Sequence, residues 1–449
     1  MSECATGEYR FASEAGLPLL AAFDAGRVTS DGGLPWLAEA EAEVGICAAF
    51  AAQITEWRQP GRVRHSLQTL VTQRVFQICC GYEDQNDADK LRSDPLLKYV
   101  CGRLPESGGD LASQPSLSRL ENAVDAKTCY RLAQVLLDIY MSERERGGVP
   151  KHILLDLDST DDPTHGEQEG SAYHAYYRQH MYHPLLVFDG ETDQPLVAVL
   201  RRGNAHASRG AVAILKRVVY AMRRRWPGVA IELRGDSGFA TPKLYRWCEK
   251  QGIGYTIGMI TNPRLESIAA PLLAQAREQK AQTGADKVRL AGETLYQAKS
   301  WQRPRRVIYK AEALAKGPNT RFVVTNRHDQ PMALYNWYVD RGEPELWIKD
   351  LKHACYAQRL SCHSFMANQF RLLLYTAAYW LLDTVRRWLT SVGVARMQLD
   401  TLRLRLLKIG GIVWQLLTRV RLRLASSHPG ERLWMALAGR RQTLVNNSG

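Results

Sequence analysis

Residues 153–158 read ILLDLD, a short apolar run with two carboxylates near its end. Pro150 precedes the run and a Ser-Thr pair follows it, so it has the length and the flanking residues of a buried strand. Because successive side chains of a strand point to opposite faces, Asp156 and Asp158 share one face of this predicted strand. The pattern predicts a sheet with an acidic strand end.

A second buried strand is predicted at 229–233, and it leads into the sequence GDSG at 235–238. The two glycines permit a sharp turn and the close approach of a ligand on either side of Asp236. Taken alone, an aspartate at such a position is more often a turn or cap residue than a catalyst. Two strand ends of this kind in one sheet favour a shared acidic pocket.

A third acid lies in residues 338–352, which read YVDRGEPELWIKDLK. If this segment is one helix with 3.6 residues per turn, five side chains project to the same side: Tyr338, Arg341, Glu345, Lys349 and Lys352. Pro344 suits only the first turn of a helix, so the alignment is firmest from Glu345 onward. The alternative interpretation is a solvated helix in which Glu345 pairs with Lys349.

Three acids with neighbouring cations suit metal-dependent phosphoryl transfer. Cleavage of a phosphodiester benefits from two divalent ions roughly 4 Å apart, which activate the attacking oxygen and stabilise the leaving oxygen. Mg²⁺ prefers carboxylate oxygens and retains some waters, and Mn²⁺ can substitute for it. Cations beside the acids would hold the phosphate. The cluster therefore predicts a metal-dependent reaction without a covalent protein–DNA intermediate.

The composition is compatible with a nucleic-acid partner. The chain has 449 residues, a net charge of +13 and a pI near 9.3, which predict an anionic partner, although a basic enzyme without nucleic acid is the alternative. We expect a cytoplasmic protein because no signal peptide is evident and the nine cysteines contain no C-x-x-C pair. The longest apolar run, 372–382, is too short to span a membrane.

The order of predicted elements indicates an α/β fold with a mixed sheet flanked by helices. The sequence favours five regions: a helical DNA-end-binding region (1–145), the first part of a catalytic core (146–261), a β-rich insertion (262–320), a second part of the core that carries Glu345 (321–395), and a basic helical C-terminal region (396–449). In the last region, alternating leucines and arginines after residue 402 are interpreted as an amphipathic helix.

Two further segments are candidates for DNA contact. Residues 113–122 begin with a cap and a proline, and we expect Ser118, Arg119 and Asn122 to face DNA; the alternative is an ordinary packing helix. Five residues could stack on unpaired bases, although core packing is favoured for them: Tyr173, Tyr176, Tyr177, Arg178 and His180.

These motifs together resemble the insertion-sequence DDE transposases, which have a ribonuclease H-like core. Residues 338–352 match the Y-(2)-R-(3)-E-(6)-K signature of one branch. The chain is most similar to the insertion-sequence thirteen-eighty family, through stretches that occur in order along it: TSDGG (29–33), GYED (81–84), SQPSLSR (113–119), LDLDSTDD (155–162), DSGF (236–239) and RGE (341–343).

The resemblance implies that Asp158, Asp236 and Glu345 bind the metal ions, and that Tyr338, Arg341 and Lys352 contact DNA phosphates. Asp156 remains an alternative first acid because it shares a face with Asp158. The implied reaction is cleavage at the terminal inverted repeats of an element, followed by attack of the exposed 3′ hydroxyl on target DNA.

The same resemblance implies double-stranded DNA as partner, a homodimer on DNA and a nucleoid-associated location in a bacterial cytoplasm. Two alternative functions are also compatible with a basic surface. One is a ribonuclease H-like nuclease or resolvase that cuts without joining, and the other is a domesticated DNA-binding protein without catalysis.

Overall fold

The computed structural model describes residues 8–12, 14, 17–315, 317–340 and 342–447, with side chains for all of these except 342–345 and 443–447. The chain divides into two compact units, and each is described by itself. The first comprises residues 1–120 and 381–449, and the second comprises residues 121–380. Across the residues that the structure describes, no helix combines the length and apolar character needed to cross a membrane.

The helices, in chain order, are α1 (Leu34–Val44), α2 (Ile46–Gln53), α3 (Leu67–Cys79), α4 (Asp87–Leu91), α5 (Pro95–Val100), α6 (Gln114–Asn122), α7 (Ala126–Glu145), α8 (Ala211–Arg225), α9 (Pro242–Gln251), α10 (Pro263–Thr283), α11 (Pro331–Val339), α12 (Gly342–Lys349), α13 (Phe365–Ser391), α14 (Leu399–Leu402) and α15 (Glu431–Asn447). Short 3₁₀ turns lie at Pro60–Arg62 and Ser237–Phe239, and π-helical turns at Asp350–Ala354 and Arg403–Leu407.

The strands are β1 (Tyr9–Phe11), β2 (Leu19–Ala21), β3 (Val28–Thr29), β4 (His152–Ser159), β5 (Asp162–Pro163), β6 (Ala172–His174), β7 (Gln179–Tyr182), β8 (Leu185–Asp189), β9 (Pro195–Val199), β10 (Ala230–Gly235), β11 (Gly254–Met259), β12 (Lys287–Tyr296), β13 (Arg305–Leu314), β14 (Gly317–Thr325), β15 (Gly411–Gln415) and β16 (Val420–Leu424).

The second unit contains a mixed eight-stranded sheet in the order β12-β13-β14-β11-β10-β4-β8-β9. Strands β4, β10 and β11 are parallel, whereas the remaining pairs are antiparallel. Strand β4 lies inside this sheet, and residues 153–157 are buried. Its nearly continuous apolar sequence is typical of a strand covered on both faces. The predicted mixed α/β sheet is confirmed.

The segment predicted as an insertion is partly an extension of this sheet. It begins with α10, whose first turn is capped by the side chain of Asn262, which accepts a hydrogen bond from Leu265 N at 3.2 Å. Strands β12, β13 and β14 follow, and β14 pairs with β11, so all three continue the sheet beyond the parallel strands.

Residues 338–352 do not form the single helix that a shared face for all five signature side chains would require. Helix α11 ends at Val339, α12 starts anew at Gly342, and the chain passes into a π-helical turn at Asp350. Both changes alter the angular spacing on which a shared helix face depends. Tyr338 and Lys352 therefore do not share one α-helical stripe.

The prediction of a basic helical C-terminal region is correct for α14 and α15 and wrong for the segment between them. Strands β15 and β16 form an antiparallel hairpin that joins β3 in a three-stranded sheet of the first unit. In β16 the side chains of Arg421 and Arg423 are exposed, whereas Leu422 between them is half-buried. Alternation with a period of two is the pattern of a strand with one covered face, not of a helix.

Candidate active site

The parallel register brings the first two predicted acids together. Arg234 on β10 lies opposite Asp156 on β4, and Gly235 lies opposite Leu157. Asp158 and Asp236 are the next residues along the two chains, so this register brings them to neighbouring strand ends, Asp158 within β4 and Asp236 directly after β10. Neighbouring strands lie about 4.8 Å apart, so these two residues are adjacent across the ladder.

Asp156 and Arg234 form a buried ion pair on the face that also carries the two acids. Both Asp156 oxygens accept hydrogen bonds, Oδ1 from Arg234 Nε at 2.7 Å and Oδ2 from Arg234 Nη2 at 2.6 Å. Their side chains are 1% and 3% exposed. The guanidinium also donates to the carbonyl of Trp337 at 2.8 Å and lies over its indole ring. Asp156 is therefore committed to holding β4, β10 and α11 in place.

Asp158 and Asp236 have more open surroundings, and both are half-buried. Ser159 N donates to Asp158 Oδ1 at 2.7 Å, and Gly238 N donates to Asp236 Oδ1 at 2.9 Å. These bonds from adjacent backbone groups fix the two carboxylates at the strand ends. Two oxygen donors in this position match the hard-ligand preference of divalent ions such as Mg²⁺.

The segment that carries Glu345 contacts the strand ends on both sides of that residue. Tyr338 on α11 donates through its hydroxyl to the carbonyl of Gly235 at 3.2 Å, next to Asp236. At the other end, Lys352 Nζ donates to Asp161 Oδ1 at 2.9 Å, three residues after Asp158. Helix α12 lies in the chain between these two anchors.

Glycine at position 258 makes the first anchor possible. A Cβ atom at Gly258 on β11 would lie 2.7 Å from the Tyr338 hydroxyl oxygen and 3.1 Å from the backbone nitrogen of Ser237. Both distances are shorter than ordinary contacts, so only glycine lets α11 approach the turn after β10 this closely.

The remaining residues of the signature segment are described unequally. The backbone of Glu345 belongs to α12, its side chain lies outside the described residues, and Arg341 lies outside them altogether. Lys349 is exposed. Trp347, which lies between Glu345 and Lys349 in the sequence, is buried, and the centroid of its ring lies 5.6 Å from that of Phe188. Among the side chains that are described, no group of three or more His, Cys, Asp or Glu residues is placed to hold a metal ion.

An aromatic and imidazole cluster lies beside the acidic strand ends. The rings of His174, Tyr177 and His183 are mutually in contact, with centroids 5.0 to 5.9 Å apart. Burial raises the pKa of Tyr177 to about 12, and the negative charges of Asp161, Asp158 and Asp236 contribute to the shift. Both candidate metal ligands are therefore close enough to act on this phenol.

Sequence reasoning did not associate this cluster with the acids. Tyr177 was considered only as a stacking or packing residue, and neither His174 nor His183 was singled out. His183 is 3% exposed, and its Nδ1 lies 2.7 Å from the carbonyl of Ala205. The signal available in the sequence is the density of His and Tyr in residues 173–183, which begin 15 positions after Asp158.

The predicted DNA-reading residues lie on α6, as expected. Arg119 and Asn122 are exposed, whereas Ser118 is half-buried. The helix also carries fully buried residues, including Leu117 and Leu120, so it packs on one side and is accessible on another.

Comparisons with known proteins give a family and a solved structure that is similar to this chain. A family model described as "Transposase DDE domain group 1" matches residues 11–446. No curated protein matches the chain significantly. A solved structure described as the cryo-EM structure of a piggyBac transposase synaptic complex with hairpin DNA is similar over 85% of this chain and 81% of that chain, with 11% sequence identity and a TM-score of 0.44. At that identity and score, the likeness by itself assigns neither ligand nor activity to this chain.

Proposed function

Because the chain belongs to the transposase DDE domain family, group 1, we propose that it is an insertion-sequence transposase whose metal ligands are Asp158, Asp236 and Glu345. The observation that carries the proposal is the register of β4 and β10, which brings Asp158 and Asp236 side by side. We also propose a ribonuclease H-like core, made of the antiparallel β9-β8-β4 strands followed by the parallel β10 and β11. The five regions, with boundaries after residues 145, 261, 320 and 395, stay part of this proposal, except that the last region contains the hairpin β15–β16 as well as helices, and that β12–β14 extend the main sheet.

The assignment of Asp158, not Asp156, follows from their different surroundings. A carboxylate that is 1% exposed and accepts two hydrogen bonds from a buried guanidinium has little capacity left for an ion. Asp158 lies one strand pleat further on, at the half-buried strand end. Asp156 is accordingly a positioning residue that keeps the two acidic strands in register.

Glu345 would complete the ligand set from α12. The anchors at Tyr338 and Lys352 hold both flanks of its segment against residues next to Asp236 and Asp158. When bound, Mg²⁺ or Mn²⁺ would supply the charge that activates an attacking oxygen and stabilises the leaving oxygen of the phosphodiester. The ions would also offset the mutual repulsion of the three carboxylates.

Cations of the signature segment are proposed to bind the DNA backbone. Lys349 is exposed, so its ammonium group can reach a phosphate. Lys352 is paired with Asp161, and a phosphate at the site would compete with that carboxylate for the ammonium group. Tyr338 and Arg341 are proposed to contribute to the same surface, and Ser118, Arg119 and Asn122 on α6 to contact DNA elsewhere.

The proposed substrates are double-stranded DNA carrying the terminal inverted repeats of the element, and target DNA. The enzyme would cut at the repeat and use the exposed 3′ hydroxyl to attack the target. Because two ends must be joined in concert, a homodimer on DNA is expected. The proposed location is the nucleoid in the bacterial cytoplasm.

Cleavage of end-containing DNA tests the proposal. The native chain should cut labelled terminal-repeat DNA with Mg²⁺ or Mn²⁺ but not with EDTA, and Asp236→Ala should lower the rate by at least about 10³-fold. The matched control is Asp286→Asn, which neutralises an exposed aspartate and should cut normally.

The products separate the competing functions. Joined donor–target DNA supports a transposase, whereas cutting without joining would indicate a nuclease or resolvase. Binding of terminal-repeat DNA with no cleavage under either metal would instead identify a non-catalytic DNA-binding protein and would refute the proposed activity.

A further inference from the structure

Six arginines line one cavity in the first unit, within residues 57–119. The cavity has a volume of about 580 Å³, and its arginines come from separate parts of the sequence: Arg58, Arg62, Arg64, Arg92, Arg103 and Arg119. Asp110 is the one acid among the described residues that line it. Such a concentration of one charge is costly unless an anion is bound there.

Two of these arginines form part of the cavity wall, and several of their N–H groups are already used in hydrogen bonds within the protein. Arg103 donates to the carbonyls of Gly109, Asp110 and Arg64, and Arg58 donates to the carbonyl of His65 and to Glu56. These bonds tie the loop at 56–65 to the loop at 103–110. The shape of the cavity is therefore fixed by the protein before any ligand binds.

Three other arginines are available. Arg62, Arg64 and Arg119 are exposed, and within the part of the chain that the structure describes their side chains have neither a hydrogen-bond acceptor nor an acidic partner. Arg92 lies 3.6 Å from Asp110, and both side chains are about half exposed. A guanidinium group matches a phosphate with two parallel hydrogen bonds, so these groups suit a phosphate-bearing ligand.

His65 reports the positive potential of the cavity. Burial lowers the pKa of the His65 imidazole, and the charges of Arg103, Arg58 and Arg64 lower it further. Arg103 Nη2 lies 2.9 Å from His65 Nδ1, and because a guanidinium can only donate, Nδ1 must accept. The ring proton is then on Nε2, which leaves a further donor in the cavity wall.

We propose that this arginine cavity binds backbone phosphates of DNA, at a site separate from the acidic strand ends. The inference rests on the proposed function, since it takes DNA as the substrate. Three features favour a DNA segment over a single small anion. The cavity is much larger than one phosphate, its available arginines lie on more than one chain segment, and Trp57, which is 40% exposed, lines it. An exposed indole can pack against a nucleotide.

Salt-dependent DNA binding in EDTA tests this site without requiring catalysis. Each phosphate neutralised by the protein adds about −0.9 to the slope of log K against log salt concentration. Arg62→Gln combined with Arg64→Gln should make the slope shallower by about two and weaken binding to terminal-repeat DNA and unrelated duplex alike. Both side chains are exposed and unpaired, so the variant should retain the native melting temperature.

The matched control is Arg10→Gln combined with Arg27→Gln, which removes the same charge from exposed positions outside the cavity. The control should keep the native slope. Equal changes in slope for both double variants would mean that only net charge matters, and would overturn the proposal.

Inorganic phosphate is the second probe. If phosphate raises the melting temperature of the native chain but the cavity variant keeps the native DNA slope, the cavity is a small-anion site and the DNA proposal is wrong. The proposed transposase activity fails separately: it would be refuted by native DNA binding without metal-dependent cleavage, a result that leaves the cavity assignment intact.

Discussion

Asp156 and Asp158 share a face of one strand, yet their environments differ so strongly that they must have different roles. Periodicity could place them on the same side but could not choose between them, because the choice depends on Arg234, which is distant in the sequence. The pairing of Asp156 with that arginine is a tertiary fact, and it leaves Asp158 as the acid at the open strand end.

The two aspartates should therefore respond oppositely to the same substitution. Asp156→Asn removes the negative charge of a buried ion pair and leaves Arg234 buried without its acidic partner. This change should lower the free energy of unfolding by about 3–5 kcal/mol. Asp158→Asn should change stability by less than about 1 kcal/mol while abolishing cleavage. Urea unfolding followed by fluorescence, together with the DNA cleavage assay, measures both effects. A stable, inactive Asp156→Asn protein would reverse the assignment.

Asp162 is a residue whose charge the fold does not compensate. It is 2% exposed, and among the described residues neither carboxylate oxygen has a hydrogen-bond partner. Burial raises its pKa well above the ordinary value, so the folded state holds the proton more tightly than the unfolded state. This group then favours folding fully below the unfolded pKa of about 3.9, and that contribution is lost as the pH rises through the folded pKa.

Asp162→Asn should remove this pH dependence. At pH 7 the variant is expected to be more stable than the native chain, and the difference should shrink as the pH falls toward 4. Urea unfolding at a series of pH values provides the comparison, and Asp286→Asn, at an exposed aspartate, serves as the control. A variant that is less stable at pH 7 would show that the charged form of Asp162 has a partner.

At the scale of elements, local patterns predicted the two strands that precede the first two acids. The runs at 153–158 and 229–233 correspond to β4 and β10, because each is a short apolar run with Gly, Pro or a cap residue at its boundary. Residues 338–352 have the spacing of a shared helix face, but that face would require a single continuous helix. The break between α11 and α12 and the π-helical turn after Lys349 interrupt that spacing.

In the C-terminal region, a segment that the sequence analysis interprets as a helix is a strand. Alternating Arg and Leu in residues 419–424 has a period of two, which is the pattern of a strand, but the abundance of leucine and arginine suggested a helix. The segment is a strand because it pairs with β15, which in turn pairs with β3. β3 is more than 380 residues away in sequence from β15. Pairing over such a separation cannot be inferred from local sequence.

The contact between β11 and α11 at Gly258 and Tyr338 can be tested by substitution. Gly258→Ala should destabilise the protein and slow cleavage, because its Cβ would meet the Tyr338 hydroxyl at 2.7 Å. Adding Tyr338→Phe removes that oxygen and should recover part of the stability, with a coupling of about 0.5–3 kcal/mol between the two sites. A double-mutant cycle in urea measures this coupling. Strictly additive losses would mean that α11 is not anchored through that hydroxyl.

A second element-scale contact lies in the first unit. Residues 32 and 33 directly precede α1 and lie against the chain at 406–409, where Gly32 N donates to Ile409 O at 2.7 Å. A Cβ at Gly33 would lie 2.5 Å from the backbone Cα of Leu407, which cannot move away as a flexible side chain could. Gly33→Ala should therefore lower the melting temperature strongly, whereas Gly45→Ala, where nothing lies within 4 Å but the φ angle is +70°, should cost only about 1 kcal/mol. Equal losses at the two glycines would contradict the close packing at Gly33.

At the scale of the whole molecule, the proposed site depends on residues separated by 78 and 109 positions, at 158, 236 and 345. The sequence could identify the first two as strand ends, but only the parallel pairing of β4 with β10 shows that they are neighbours. The aromatic cluster of His174, Tyr177 and His183 was beyond prediction for the same reason. Its members come from a small separate sheet and the loops around it, and their position beside the acids is set by tertiary packing.

Metal binding should stabilise the native chain even without DNA. Carboxylates gathered at one sheet edge repel one another, so a divalent ion that binds only the folded state raises its unfolding free energy by RT ln(1 + [M]/Kd), about 2.7 kcal/mol at 100 times Kd. Melting with Mg²⁺ or Mn²⁺ should therefore shift upward relative to EDTA. The shift should vanish in Asp158→Asn combined with Asp236→Asn and persist in Asp286→Asn. The double variant without metal should be at least as stable as the native chain, since neutral amides do not repel. If the double variant keeps the full metal-dependent shift, the ions bind elsewhere and the two strand ends are not the metal site.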